Sequence, residues 1–193
     1  MKNKNYNTRK MIFLSLMVGI ALIIYIIEAQ IPVLFPGIKL GLANVISLVT
    51  LIMLGGYEAL LVMFLRTLLG SMFAGNMSSF MFSLAGGFLS NIIMIILYYK
   101  FKENLSLSSI SICGAIFHNI GQLFIAAFVV KDFRIYVYLP VLMISGIITG
   151  YFIGLCTKYL NKNLGNVKLF NELKNNENDQ LSMIDAQLLI NNY

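Results

Sequence analysis

Apolar residues fill most positions from Met11 to Leu160, and the breaks in this stretch contain proline, glycine or charged side chains. A helix needs about 20 residues to cross the hydrocarbon core of a bilayer, so this stretch has room for six spans and short loops. The breaks place the spans at about 11–31, 39–54, 57–74, 78–99, 108–130 and 135–160. The pattern predicts an all-α integral membrane protein with six transmembrane helices.

The two ends of the chain differ from this apolar block. Residues 1–10 are basic, whereas residues 161–193 are rich in Asn, Lys and Glu, with an apolar patch at 181–190. The first apolar run is longer than the core of a signal peptide and no clear small-x-small motif follows it, which predicts a retained helix. We therefore predict a basic N-terminus (1–10), a transmembrane domain (11–160) and a polar, flexible tail (161–193). The patch in the tail is either solvated or a short docking helix.

Positive charges are distributed unevenly between the two sides. With the N-terminus inside, ten Lys and Arg residues face inward and only Lys39, Lys131 and Arg134 face outward. Because cytoplasmic segments carry the excess of Lys and Arg, both termini are predicted to be cytoplasmic. The expected location is a bacterial-type plasma membrane, which the chain crosses several times.

The composition and the absence of several motifs exclude some classes of protein function. The chain is 59% hydrophobic and 11% charged, whereas soluble domains carry about 25% charged residues. The net charge of +6 comes from residues at the ends of apolar segments, so lipid is the expected partner and nucleic acid is not. No P-loop, HExxH or GxSxG motif occurs, and Asp132, Asp179 and Asp185 do not form the clusters that bind magnesium and diphosphate. We expect no catalytic residue, no metal, no cofactor and no enzyme activity.

Polar side chains within the apolar spans are the candidates for a binding site, because buried charges in a membrane usually face a cavity or each other. Arg66 lies in the middle of span 3, eight residues after Glu58. It is either an anchor for an anionic or polar group of a solute, or a structural residue, in an ion pair or as a snorkelling side chain. Glu28, near the outer end of span 1, is a candidate partner for Lys39 or Arg134.

Two other spans carry polar stripes. In span 5, His118 and Gln122 are one helical turn apart, and Asn119 lies beside them. These side chains either bind a solute or clamp helices together. In span 2, Asn44 begins a stripe that continues through Ser47 and Thr50, and Lys39 lies at the outer start of the span. The predicted substrate-binding residues are Lys39, Asn44, Arg66, His118, Asn119 and Gln122.

Small residues mark the predicted packing faces. Gly146, Gly150 and Gly154 form a tandem GxxxG pattern in span 6, which lets two helix backbones approach closely. A second face, in span 4, contains Ser79, Ser83, Gly87 and Asn91. We predict that both faces serve helix packing.

Five short sequences, in this order, resemble those of a known family: KLGLAN at 39–44, LRTLLGS at 65–71, SLAGG at 83–87, HNIGQL at 118–123 and SGIITG at 145–150. They are similar to the Gx transporter family, also known as heptaprenyl diphosphate synthase component I. The resemblance covers about residues 11–160. It implies a six-helix bundle like the S-component of energy-coupling factor (ECF) vitamin transporters, which binds a solute on its outer side.

The resemblance implies a solute-binding subunit for uptake of a vitamin, flavin or quinone/isoprenoid precursor. An ECF transmembrane scaffold and ATPase subunits would supply the energy. S-components often dock the scaffold through an AxxxA face, where this chain has Ser15 and Gly19. The alternative is a non-catalytic membrane partner of a prenyl diphosphate synthase or of a flavin-based extracellular redox assembly.

Overall fold

A computed structural model describes residues 2–28, 30, 41–74, 77–101 and 103–164. This part of the chain contains no strand and six α-helices: α1 (Lys2–Glu28), α2 (Asn44–Leu54), α3 (Gly56–Ala74), α4 (Met77–Phe101), α5 (Leu107–Val130) and α6 (Leu139–Leu164). A 3₁₀ helix (Phe133–Tyr138) precedes α6. The predicted all-α fold is confirmed.

The outer surface of the helix bundle is apolar. Within the described residues, five helices are long and apolar enough to cross a membrane, and only α2 is too short. Large side chains such as Ile12, Phe128 and Phe152 are 57–74% exposed on these helices. Apolar surface on this scale requires lipid or protein around it. The chain is therefore a multi-pass membrane protein.

Helix α2 is shorter than the span predicted at 39–54. It begins at Asn44 and ends at Leu54, and its 11 residues are all buried. At 1.5 Å per residue it is about 16 Å long, roughly half the thickness of the hydrocarbon core. Gly55 joins it directly to α3, so the two helices share one end. The N-terminus of α2 therefore lies near the middle of the bundle, between α1, α3, α4 and α6.

Glycines bring α6 against α5. A Cβ atom at Gly150 would lie 2.6 Å from the Ile112 Cα atom, and one at Gly146 would lie 3.1 Å from the Asn119 side chain. Gly154 meets the Ser108 backbone in the same way. The predicted GxxxG face is thus a packing face, and it packs within the chain.

Two further glycines bring α4 against α5. A Cβ atom at Gly86 would lie 2.7 Å from both the His118 carbonyl oxygen and the Gln122 Cγ atom. A Cβ atom at Gly121 would lie 2.9 Å from the Ala85 carbonyl oxygen. This close approach positions His118 and Gln122 deep in the bundle, where both are buried.

Polar contacts identify one end of the bundle. Lys10 at the start of the α1 span pairs with Glu58 at the start of α3, with Nζ and Oε1 2.5 Å apart. The Gly56 N–H donates to the Tyr99 hydroxyl near the end of α4, at 3.3 Å. The starts of α1 and α3 and the end of α4 therefore lie on the same side, which the charge distribution predicts to be cytoplasmic.

We expect this topology to appear in cysteine labelling. Lys158 and Arg134 are both exposed and lie near opposite ends of α6. In a background where Ser replaces Cys113 and Cys156, a membrane-impermeant maleimide added to intact cells should label Arg134→Cys. It should label Lys158→Cys only after the membrane is opened. The cysteine-free background is the control, and labelling in the reverse order would contradict the predicted orientation.

Candidate functional site

The N-terminus of α2 receives a carboxylate from another helix. Glu28, the last residue of α1, accepts a hydrogen bond from the Gly41 N–H, and its carboxylate also interacts with the N–H groups of Leu42 and Ala43. Gly41 has φ +80°, a left-handed conformation that favours glycine. The N–H groups of Asn44 and Val45 bond back to the Gly41 and Leu42 carbonyls, at 2.9 and 3.1 Å. Glu28 thus caps the N–H groups that the turn before α2 leaves open.

Arg66 lies beside this cap. It is only 3% exposed, and its Nη2 donates to the Asn44 Oδ1 at 2.7 Å. Arg66 and Glu28 also attract each other electrostatically. Glu58, eight residues earlier on the same helix, pairs with Lys10. The partners of Arg66 therefore come from α1 and α2.

His118 and Gln122 complete the polar cluster from α5. Their Nε2 atoms are 2.9 Å apart, and both side chains are buried. A Cβ atom at Gly41 would lie 3.0 Å from both the Asn44 Nδ2 and the His118 Cδ2. The absence of a side chain at Gly41 therefore allows the turn before α2 to approach His118 on α5.

These groups surround a small cavity. On the side of α4, the Tyr25 hydroxyl donates to the Ser83 Oγ at 3.2 Å. The cavity volume is about 10 Å³, which is close to the space that one water molecule needs. The lining residues are Tyr25, Glu28, Gly41, Arg66, Thr67, Ser83 and His118.

Two buried donors of the cluster are unsatisfied. The Arg66 Nε and the Asn44 Nδ2 have no hydrogen-bond partner in the part of the chain that the structure describes. An unpaired buried donor costs about 1–3 kcal/mol, and more if it is charged. An acceptor oxygen that bonds to these two atoms would remove this free-energy cost.

The structure brings together four of the six predicted site residues. Arg66 and His118 line the cavity, and Asn44 and Gln122 are bonded to them. Asn119 points away, toward α6, where its amide donates to the Leu142 carbonyl at 2.6 Å. Lys39 lies outside the described residues. A solute contact by Asn119 or Lys39 stays a prediction.

Five lining residues are not among the predicted site residues: Tyr25, Glu28, Gly41, Thr67 and Ser83. Of the two partners predicted for Glu28, Arg134 does not pair with it, and Lys39 lies outside the described residues. Arg134 is exposed on the 3₁₀ helix, and its N–H donates to Asp132. Ser83 belonged to a face assigned to packing only. Among these missed residues, only Glu28 carries a signal in the sequence, because it is an acidic residue at the end of an apolar span.

The contacts of Asn119 predict a structural effect. In Asn119→Ala, the hydrogen bond between α5 and α6 is lost, and we expect a loss of about 1 kcal/mol in stability. Thermal unfolding in detergent would measure it, with Asn163→Ala, an exposed asparagine near the end of α6, as the control. Unchanged stability would contradict the prediction.

The fold and the cavity define a multi-pass membrane protein with a small polar site between α1, α2, α3, α4 and α5. Among the described residues, no group of three or more His, Cys, Asp or Glu side chains is placed to hold a metal ion. The family model of heptaprenyl diphosphate synthase component I matches residues 17–160, and the chain belongs to this family. The name designates component I, not the catalytic subunit, and implies a partner subunit. Neither a curated protein nor a solved structure matched the chain.

Proposed function

We propose that this chain is the solute-binding membrane subunit of an uptake system, similar to an ECF S-component. The solute is a small molecule such as a vitamin, a flavin or a quinone/isoprenoid precursor. A transmembrane scaffold and ATPases on separate chains supply the energy, in a bacterial plasma membrane. The proposed contacts are Tyr25, Asn44, Arg66, Ser83, His118 and Gln122.

The buried guanidinium of Arg66 carries this proposal. Ionisable groups inside a membrane protein are costly and generally serve a binding site or a transport pathway. Arg66 lines a cavity, and its Nε lacks a partner among the described residues. The cavity lies near the end of α1 that is far from the Lys10–Glu58 pair. The charge distribution assigns this end of α1 to the outer side. A site for uptake has to be reached from that side.

Because the cavity is small, the proposal also requires the site to open when the solute enters. A pocket for a drug-sized ligand usually has about 300–1,000 Å³, far more than the space between these side chains. The walls therefore have to separate when the solute enters. The contacts that would have to break join different helices, as in the Tyr25–Ser83 and Arg66–Asn44 hydrogen bonds.

Native mass spectrometry of the gently purified chain tests this function. A stoichiometric flavin, vitamin-like or quinone-like molecule would support it and name the substrate class. A preparation without any small molecule, but with a stable protein partner, would count against it. The same measurement on an unrelated multi-pass protein in the same detergent controls for carried-over lipid.

The family name favours a second candidate function. Component I of a two-component synthase suggests a non-catalytic membrane partner of a prenyl diphosphate synthase. A related alternative is a subunit of a flavin-based extracellular redox assembly. Both predict that the chain co-purifies with an enzyme and holds no small molecule, so the mass spectrum separates them from solute uptake.

A further inference from the structure

The polar site contains buried hydrogen-bond donors that have no acceptor among the described residues. The Gly41 N–H before α2 donates to the Glu28 carboxylate, and the neighbouring N–H groups of Leu42 and Ala43 stabilise its charge. The N-terminus of a helix carries partial positive charge and binds anions. In addition, the unsatisfied atoms of Arg66 and Asn44 are both donors, and both side chains are at least 97% buried. Such a site is suited to an oxyanion.

We infer that the solute carries an oxyanion, a carboxylate or a phosphate, and that this group displaces the Glu28 carboxylate from the N-terminus of α2. This inference rests on the proposed function. Half-length helices with N-termini at mid-depth hold anionic substrate groups in some transporters. Here Glu28 occupies the position that such a group would take.

Two features favour an exchange of this kind over a site for a cation. A cation in this cavity would be repelled by the Arg66 guanidinium, which lines it, and by the positive end of α2. An incoming oxyanion would instead bond to the N–H groups before α2 and to the unsatisfied Arg66 Nε. Glu28 is also the last residue of α1, so its side chain can withdraw without a change in the helix interior.

The test uses variants that remove the Glu28 carboxylate from the N-terminus of α2. We would measure thermal unfolding of the full chain in phosphatidylcholine nanodiscs, with inorganic phosphate, acetate, or chloride at equal ionic strength. In Glu28→Ala, phosphate or acetate should raise the apparent Tm by about 5 °C or more near saturation. The wild-type chain should respond less, since its own carboxylate competes. Glu58→Ala, which removes a carboxylate at the other end of the bundle, should respond like the wild type.

The double variant Glu28→Ala/Arg66→Ala should lose the response. The inference is overturned if Glu28→Ala shows no shift with either anion, or if the double variant shifts as much as Glu28→Ala. Should Glu28→Ala fail to fold, Glu28→Gln has the same shape without the charge and must then exceed the wild-type response.

Three further results identify the source of the oxyanion and separate this inference from the proposed function. A Tm rise with phosphatidylglycerol nanodiscs alone, lost in Arg66→Ala, would place the oxyanion on a lipid and overturn the soluble solute. A neutral or cationic solute in the native mass spectrum, bound through Arg66, would preserve the uptake function and overturn only this inference. An anion response in a chain that carries no solute would support the anion site and count against uptake.

Discussion

Replacing Arg66 with alanine is expected to lower the affinity for the co-purifying solute about 10- to 100-fold. A charge-assisted hydrogen bond to a buried group contributes about 1.5–3 kcal/mol, and about 2.7 kcal/mol corresponds to a factor of 100. The Arg66 side chain also holds Asn44 through its Nη2, so the variant removes two features of the site. The occupied fraction in native mass spectra, followed by titration with the identified solute, measures the loss.

Arg134→Ala is the matched control, because it removes another guanidinium that is exposed and outside the cavity. It should bind as the wild type does. Arg66→Lys keeps the positive charge and should recover part of the affinity. If Arg66→Ala binds the solute unchanged while remaining folded, Arg66 is a structural residue and the site lies elsewhere.

Replacing Gly150 with alanine is expected to destabilise the bundle by about 2–3 kcal/mol. The added Cβ atom would lie 2.6 Å from the Ile112 Cα atom and 3.0 Å from the Ser111 carbonyl oxygen. Backbone atoms cannot turn aside as a side chain can, so α5 and α6 have to separate. We expect the apparent Tm to fall by roughly 4–10 °C in a detergent melt.

Gly19→Ala makes the same chemical change on α1, where no atom lies within 4 Å of the new Cβ position. It should leave stability unchanged or raise it by up to about 1 kcal/mol, because alanine favours helix. Equal melting curves for the two variants would show that the α5–α6 contact is looser than the structure indicates.

The long helices were predictable because crossing a bilayer requires a long apolar segment, and that requirement is visible in the sequence. The length of α2 was not predictable from the same pattern. Its residues are as apolar as those of a full span, but the helix starts only at Asn44. The backbone turns three residues earlier, at Gly41. Glycine permits that turn without requiring it, so the sequence alone leaves the start of α2 open.

The site was predictable only in part, and for a similar reason. Arg66, Asn44 and His118 are visible because polar groups are rare within apolar spans. Their partners depend on which helices become neighbours. Asn119 and His118 are adjacent in the sequence, but helical geometry directs one toward α6 and the other toward α4.

The complete burial of α2 has a consequence for how the chain enters the membrane. An 11-residue segment is too short to be inserted alone as a transmembrane span. Only Gly55 separates it from α3. The two helices therefore have to enter as one hairpin, and α2 reaches its place only when later helices arrive to cover it. Biogenesis of the site thus depends on translation of the chain well beyond α3.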